Sequence, residues 1–341
     1  MQDFLSIIRE PITAELEAFN DLFQESLSHS DGTLTEALQY IRQKVGKRMR
    51  PMLILLTAKA FGKVTEQSLH AAIALELLHT ASLVHDDVVD EAHERRGQRS
   101  INAIYDNRIA VLIGDYILAT ALVSAAKSGS NDSGLYLSQL GQRLANGEIA
   151  QMTSNDSEEI SEEAYYRVIR DKTASLFEAC CAMGAISVGA TEDNVEAAKQ
   201  FGRTLGMIFQ IRDDIFDYFD TSDIGKPTGN DMAEGKLTLP AIHAVQKAIR
   251  RQDEPTGTTE EKNYASKIVS IARKVKQHSA NAGEIARLVQ YTKESGGIEY
   301  AEAQMQRMHT EAMRFINERV GDQDIRRSLT AYLDYCIKRN L

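Results

Sequence analysis

The sequence predicts an all-α protein, and three observations carry that prediction. Apolar residues return at i, i+3 and i+4 through most of the chain, and no stretch alternates apolar with polar as a half-buried strand would. Only 5 prolines occur in 341 residues, at Pro11, Pro51, Pro227, Pro240 and Pro255, which leaves long tracts open to helix. Tryptophan is missing and aromatic residues make up 6%, low for a protein built of strands. No linker rich in Pro, Gly or Ser divides the chain, so residues 1–341 are read as one helical domain, with 43% hydrophobic residues to fill its core.

In chain order, Leu5, Ile8, Ile12, Leu16, Phe19, Leu22, Phe23 and Leu27 mark a first helix, broken near Pro11 and ended at Asp31-Gly32. Residues 33–43 form a second, and residues 52–61 a short apolar one just after Lys47, Arg48 and Arg50. Residues 68–91 form the first long helix and 109–126 another apolar one, followed by a polar loop at 127–134. Residues 135–153 are helical and carry Gly147, Glu148 and Gln151. Ser161-Glu162-Glu163 opens a helix in capping-box fashion, expected to run unbroken through Lys172-Thr173 to Gly189. Residues 194–217 form the second long helix, and 220–236 a Gly-rich charged loop with Lys226 and Lys236. Leu237-Thr238-Leu239-Pro240 starts the next helix. Residues 250–262 read as a solvated loop, and 264–341 as three helices split at Gly296-Gly297 and Gly321-Asp322.

The composition excludes some functions. A net charge of −10 argues against nucleic acid, whose phosphates require basic surface, and against adhesion to anionic membranes. Of the three cysteines, Cys180, Cys181 and Cys336, the adjacent Cys180-Cys181 in an Ala-rich run read as small core residues. Without a paired-cysteine framework or signal peptide, a reducing cytoplasm is the expected compartment. No apolar run is read as reaching the ~18 residues of a membrane span. The nearest candidate, residues 71–84, carries Glu76 and His79.

Two identical acidic boxes close the two long helices: His85-Asp86-Asp87-Val88-Val89-Asp90 and Asp213-Asp214-Ile215-Phe216-Asp217. A helix turns about 100° per residue, so Asp86 and Asp90 share a face with His79 and Ser82. Small Ala81 and Ser82 lie under the carboxylates. Like charges four residues apart destabilise an exposed helix mildly and an apolar one more. A divalent cation removes that cost, and carboxylates without Cys or His company suit a hard ion such as Mg²⁺. The two boxes are expected to face a common cavity and hold such ions there.

Basic residues gather at helix ends and in Gly-containing loops: Lys47, Arg48 and Arg50; Arg95 and Arg96; Lys172; Lys226 and Lys236. Arginine suits bidentate phosphate contact and lysine a point-charge contact. Acidic boxes with scattered cations suggest a metal–polyphosphate site. The P-loop pattern is missing, which argues against an ordinary NTPase.

The two boxes, Gly46-Lys47-Arg48-x-Arg50-Pro51, Arg95-Arg96-Gly97, Lys172-Thr173, Phe209-Gln210, and Gly225-Lys226-Pro227 through Glu234-Gly235-Lys236-x-Thr238-x-Pro240 together resemble the trans-polyprenyl diphosphate synthases. The order of motifs matches from about residue 40 to 245, and more loosely beyond. Val45 stands where the family usually has a second Gly, and Arg212 where it is often apolar; neither removes a ligand. The resemblance implies an isoprenoid-synthase-type helical bundle around a central cavity, working as a homodimer.

It also implies roles. Asp86 and Asp90, with Asp87 in support, and Asp213 with Asp217 would bind Mg²⁺, three ions per site with substrate present, on the diphosphate of an allylic substrate. Arg95, Lys172, Thr173, Gln210, Lys226 and Lys236 would hold that diphosphate. Lys47, Arg50, His79 and Arg96 would hold isopentenyl diphosphate. The allylic C–O bond ionises, the double bond of isopentenyl diphosphate attacks the cation, and a proton is lost to the departed diphosphate. In the family an aromatic four or five residues before the first box closes the cavity. Ala81 and Ser82 occupy those positions, so a long product between hexaprenyl and decaprenyl is expected, octaprenyl in the middle, suited to a quinone side chain. A shorter farnesyl or geranylgeranyl product is the alternative. A class I terpene cyclase would carry an Asn/Asp-Asp-x-x-Ser/Thr-x-x-x-Glu second motif, a head-to-head synthase would dispense with isopentenyl diphosphate, and a non-catalytic partner subunit would lose the boxes. A plain scaffold leaves the matched cations unexplained.

Overall fold

The computed structural model describes residues 3–30, 32–43, 46–95, 97–129, 131–155, 160–219 and 228–339. The elements are helices α1 (Phe4–Arg9), α2 (Thr13–Ser26), α3 (Gly32–Gln43), α4 (Met49–Phe61) and α5 (Glu66–Val89), then strands β1 (Glu94–Arg95) and β2 (Gln98–Arg99). Next come α6 (Ile101–Ile104), α7 (Asn107–Lys127), α8 (Asn131–Asn155), α9 (Glu162–Ile169), α10 (Ser175–Ile186), α11 (Glu192–Phe216) and α12 (Asn230–Ala233). The chain closes with α13 (Leu239–Asp253), α14 (Thr259–Lys276), α15 (Ala282–Glu294), α16 (Gly297–Arg319) and α17 (Gln323–Lys338). The protein is all-α, as its periodicity implies.

Four details depart from the sequence expectation. Strands β1 and β2 form a minimal antiparallel pair, with Glu94 opposite Arg99 and Arg95 opposite Gln98. Strands of two residues are too short for any period to announce them. The helix from Ser161 is interrupted by a π turn over Arg170–Ala174, which carries Lys172 and Thr173. The supposed loop 250–262 shrinks, because α13 runs to Asp253 and Thr258 with Glu261 forms a capping box that starts α14. Finally, α7 is a 21-residue helix of hydropathy 2.0, long and apolar enough to cross a membrane by length and composition alone. Asp115 inside it and Arg108 near its start disguise it in the sequence.

The chain forms two compact units. The first comprises Met1–Gln142, Ser175–Arg203 and Met313–Tyr332. Here α10 is nearly buried throughout, and α4 and the middle of α5 are largely so, as their apolar sequences require. Small residues set their spacing. A Cβ on Gly184 of α10 would fall 2.6 Å from the Ile54 carbonyl of α4, and one on Gly202 of α11 would fall 2.4 Å from the Phe177 carbonyl. At the α5–α7 crossing the His85 ring lies over Gly114, its Nε2 2.3 Å from where a Cβ would stand. Cys180 and Cys181 are buried, and burial raises both thiols.

The second unit comprises Arg143–Ala174, Thr204–Ala312 and Leu333–Leu341. Helices α13, α14 and α15 pack together, with Ile242, Val245, Ile268, Val275 and Leu288 in their core. Gly297 opens α16 against the Pro240 carbonyl, 2.4 Å from where its Cβ would stand.

Substituting Gly202 by Ala forces a backbone shift at a packed crossing and is expected to cost about 1–3 kcal/mol. A thermal melt followed by circular dichroism tests this; an unchanged midpoint would show that the close approach carries no constraint.

Candidate active site

In the first unit, Thr65 caps the N-terminus of α5 in a capping box with Ser68, and the helix runs unbroken to the first box. Asp86 is half-buried, Asp90 is the exposed C-cap, and His79 and Ser82 are half-buried two turns and one turn before Asp86. Ser82 Oγ donates to the His79 carbonyl at 2.9 Å, and Ala81 is 1% exposed. Asp87 behaves differently from its neighbours. It is buried, and its carboxylate accepts from Nε of Arg95 at 2.6 Å. Arg95 reaches it because the β1–β2 hairpin turns back at Gly97, whose φ of 74° suits glycine. Asp87 and Arg95, assigned by resemblance to metal and diphosphate, are thus engaged with each other. Arg96 lies outside the described residues.

The Lys47–Arg50 stretch owes its shape to Arg48. Its φ is 56°, left-handed for a non-glycine residue, and it caps α4. Its guanidinium pairs with Glu76 at 2.8 Å and lies 4.1 Å from the Phe23 ring centroid. Lys47 is left exposed on one side of it and Arg50 half-buried on the other. Among the described residues Nε of Arg50 is buried without a hydrogen-bond partner, an orphan donor that an anion would satisfy.

In the second unit, one cavity of about 240 Å³ gathers Lys172, Thr173, Gln210 and Lys236 with Asp214 and Asp231. The π turn presents the first two, consistent with the frequent use of such bulges at functional sites. Its approach to α8 needs Gly147, since a Cβ there would lie 2.8 Å from the Lys172 amide. Beside that glycine, Glu148 pairs with Lys172 at 2.6 Å and Gln151 accepts from it at 3.0 Å. Thr173 Oγ1 donates to Gln210 at 2.7 Å, and Gln210 Nε2 donates to Asp214 at 2.8 Å. Tyr165 Oη donates to the other oxygen of Asp214. Burial, reinforced by Asp231, pushes Asp214 up to about 8 against these hydrogen bonds.

Asp214, the second acid of its box, is buried and locally bonded, as Asp87 is in the first. The flanking acids remain half-buried at helical spacing. Asp213 accepts from Arg339, whose guanidinium lies 3.8 Å from the Phe209 ring centroid. Asp217 accepts from the backbone N–H groups of Asn230 and Asp231 at 3.0 and 3.1 Å, capping α12. Lys236 pairs with Glu234 at 2.7 Å, and Lys226 lies outside the described residues. No three acidic, His or Cys side chains form a ready metal cage among the described residues. The donor set nonetheless fits a hard ion that takes one or two carboxylates and completes its shell with water and phosphate.

Tyr165, Glu148 and Arg339 were not anticipated. The sequence contained a partial sign only for Glu148 and Gln151, one helical turn apart beside Gly147. Tyr165→Phe removes a donor from a buried carboxylate and is expected to cost about 1–3 kcal/mol. Urea unfolding checks it, and an unchanged midpoint would mean that Gln210 alone satisfies Asp214.

Residues 31–275 match the family described as polyprenyl synthetase. The octaprenyl diphosphate synthase of Haemophilus influenzae is 38% identical over 74% of this chain and 77% of its own length. The crystal structure of a geranylgeranyl pyrophosphate synthase from Bacteroides thetaiotaomicron is 43% identical, covers 99% of this chain and 100% of its own, and superposes with a TM-score of 0.82. That of a polyprenyl synthase from Caulobacter crescentus, complexed with calcium and isoprenyl diphosphate, is 26% identical, covers 98% of each chain and has a TM-score of 0.84. Motifs, helical fold and relatives agree that the chain belongs to the polyprenyl synthetase family and is a prenyltransferase that makes polyprenyl diphosphates.

Proposed function

We propose that this enzyme extends an allylic diphosphate, farnesyl diphosphate as primer, with successive isopentenyl diphosphates to an all-trans octaprenyl diphosphate for a quinone side chain. The observation that carries the reading is the cavity where Lys172, Thr173, Gln210 and Lys236 converge beside the second box. Ammonium groups, a hydroxyl and an amide in one pocket suit the oxygens of a diphosphate. With Arg95 and Lys226 they hold the allylic diphosphate and stabilise the charge that grows on it as the C–O bond breaks. Lys47, Arg50, His79 and Arg96 hold isopentenyl diphosphate, and the orphan Nε of Arg50 supports that role. Magnesium, held by Asp86, Asp90, Asp213 and Asp217, supplies electrophilic charge for the leaving diphosphate. The calcium complex of the Caulobacter relative supports a divalent ion. Ile160, Val168, Ile169, Leu237 and Ile242 on the cavity wall would help keep water from quenching the cation.

The small side chains of Ala81 and Ser82, and the octaprenyl name of the Haemophilus relative, support a long product. The geranylgeranyl name of the Bacteroides structure favours a shorter one. A homodimer is proposed on one physical ground. Leu112 is 63% exposed and Val123 55% on α7, with Val111 and Leu122 beside them, an apolar stripe that a second copy would cover.

Incubation with Mg²⁺, farnesyl diphosphate and labelled isopentenyl diphosphate is expected to give octaprenyl product by chromatography. Product stopping at geranylgeranyl would replace the long-chain reading, and none at all would remove the proposal. Asp86→Ala is expected to lower turnover at least about a hundredfold with helical content unchanged. Ala81→Phe is expected to shorten the product; the same chain length from this variant would rule out Ala81 as part of the chain-length wall.

A further inference from the structure

The cavity holds a cation that no motif supplied. Lys276 is the last residue of α14 and lines the cavity with Lys172 and Lys236. It lies one residue past the matched family span.

Its position follows from how α14 ends. His278 takes a left-handed φ of 51°, and the amides of Gln277, His278 and Ser279 return to the carbonyls of Arg273, Val275 and Lys274. The imidazole then lies on Gly235, where a Cβ would fall 2.4 Å from Cε1. Gly235 itself has a φ of 77°, so glycine is required there for conformation as well as space. This contact docks the end of α14 on the loop carrying Lys236.

A lysine in the last turn of a helix ordinarily needs no ligand, because it complements the helix dipole. The basic residues of this turn divide by surroundings, however. Lys274 pairs with Glu284, Arg273 is exposed, and Lys276 is half-buried at the cavity wall. We propose that Lys276 is a further substrate-binding residue, an ammonium added to Lys172, Lys236 and the proposed Lys226 for the same diphosphate. The inference rests on the reading of this cavity as the allylic diphosphate site. An ammonium gives a point-charge contact to a phosphate oxygen without demanding a fixed geometry, which suits a residue at a helix end.

The test is calorimetric titration of the full chain with inorganic pyrophosphate in the presence of Mg²⁺. Lys276→Met is expected to weaken pyrophosphate about tenfold, the loss of one charge-assisted contact. Lys276→Arg should restore most of the affinity, and Lys274→Met, on the same turn but away from the cavity, should match wild type. In steady state Lys276→Met should raise KM for the allylic diphosphate and leave KM for isopentenyl diphosphate unchanged. Lys276→Gln, closer in polarity, repeats the measurement should the Met variant fold poorly. Wild-type pyrophosphate affinity in both neutral variants would overturn the role of Lys276 alone. Failure of the wild-type chain to bind pyrophosphate would overturn the diphosphate reading of the cavity.

Discussion

A carboxylate set at the end of an apolar helix must find a partner, and much of the local architecture answers that requirement. Each box buries its second acid. Asp87 is met by Arg95, which needs the hairpin and the left-handed Gly97 to reach it. Asp214 is met by Tyr165 and Gln210, and Gln210 is oriented in turn by Thr173 on the π turn. Losing one partner of a buried charge costs far more than a surface pair contributes. The buried acids therefore fix the backbone from which Asp86, Asp90, Asp213 and Asp217 project.

The cations follow a second rule, that charges poised for a ligand are balanced internally without one. Lys172 rests on Glu148, Lys236 on Glu234, and Arg339 on Asp213. The two lysine pairs are partly solvated, so separating them costs little. A diphosphate or a metal ion bound as proposed would meet groups already oriented and exchange one counter-charge for another.

Sequence periodicity located nearly every helix, because burial of an amphipathic or wholly apolar face leaves a long signal. It failed where the signal is a single residue or a single turn. The π turn at Arg170–Ala174 shifts the helical register by one residue, which no window resolves. The start of α14 hid inside a charged stretch although Thr258 and Glu261 have capping-box spacing. The two acidic boxes stood out in the sequence because carboxylates are costly in apolar helices. Their partners did not, since Tyr165 and Arg339 lie 49 and 126 residues from the acids they meet and no local pattern links them.

The left-handed Arg48 gives its neighbour a thermodynamic consequence. Its side chain is spent on Glu76 and Phe23, and the turn it makes carries Arg50 inward with Nε unsatisfied. An unmet buried donor raises the free energy of the empty folded state, while the unfolded chain keeps that donor in water. Any anion that fills the position therefore relieves a penalty as well as adding a contact. By mass action, occupancy by substrate then guards the native state against unfolding. With isopentenyl diphosphate seated on Arg50, as proposed, resistance to heat and proteolysis would rise with its concentration.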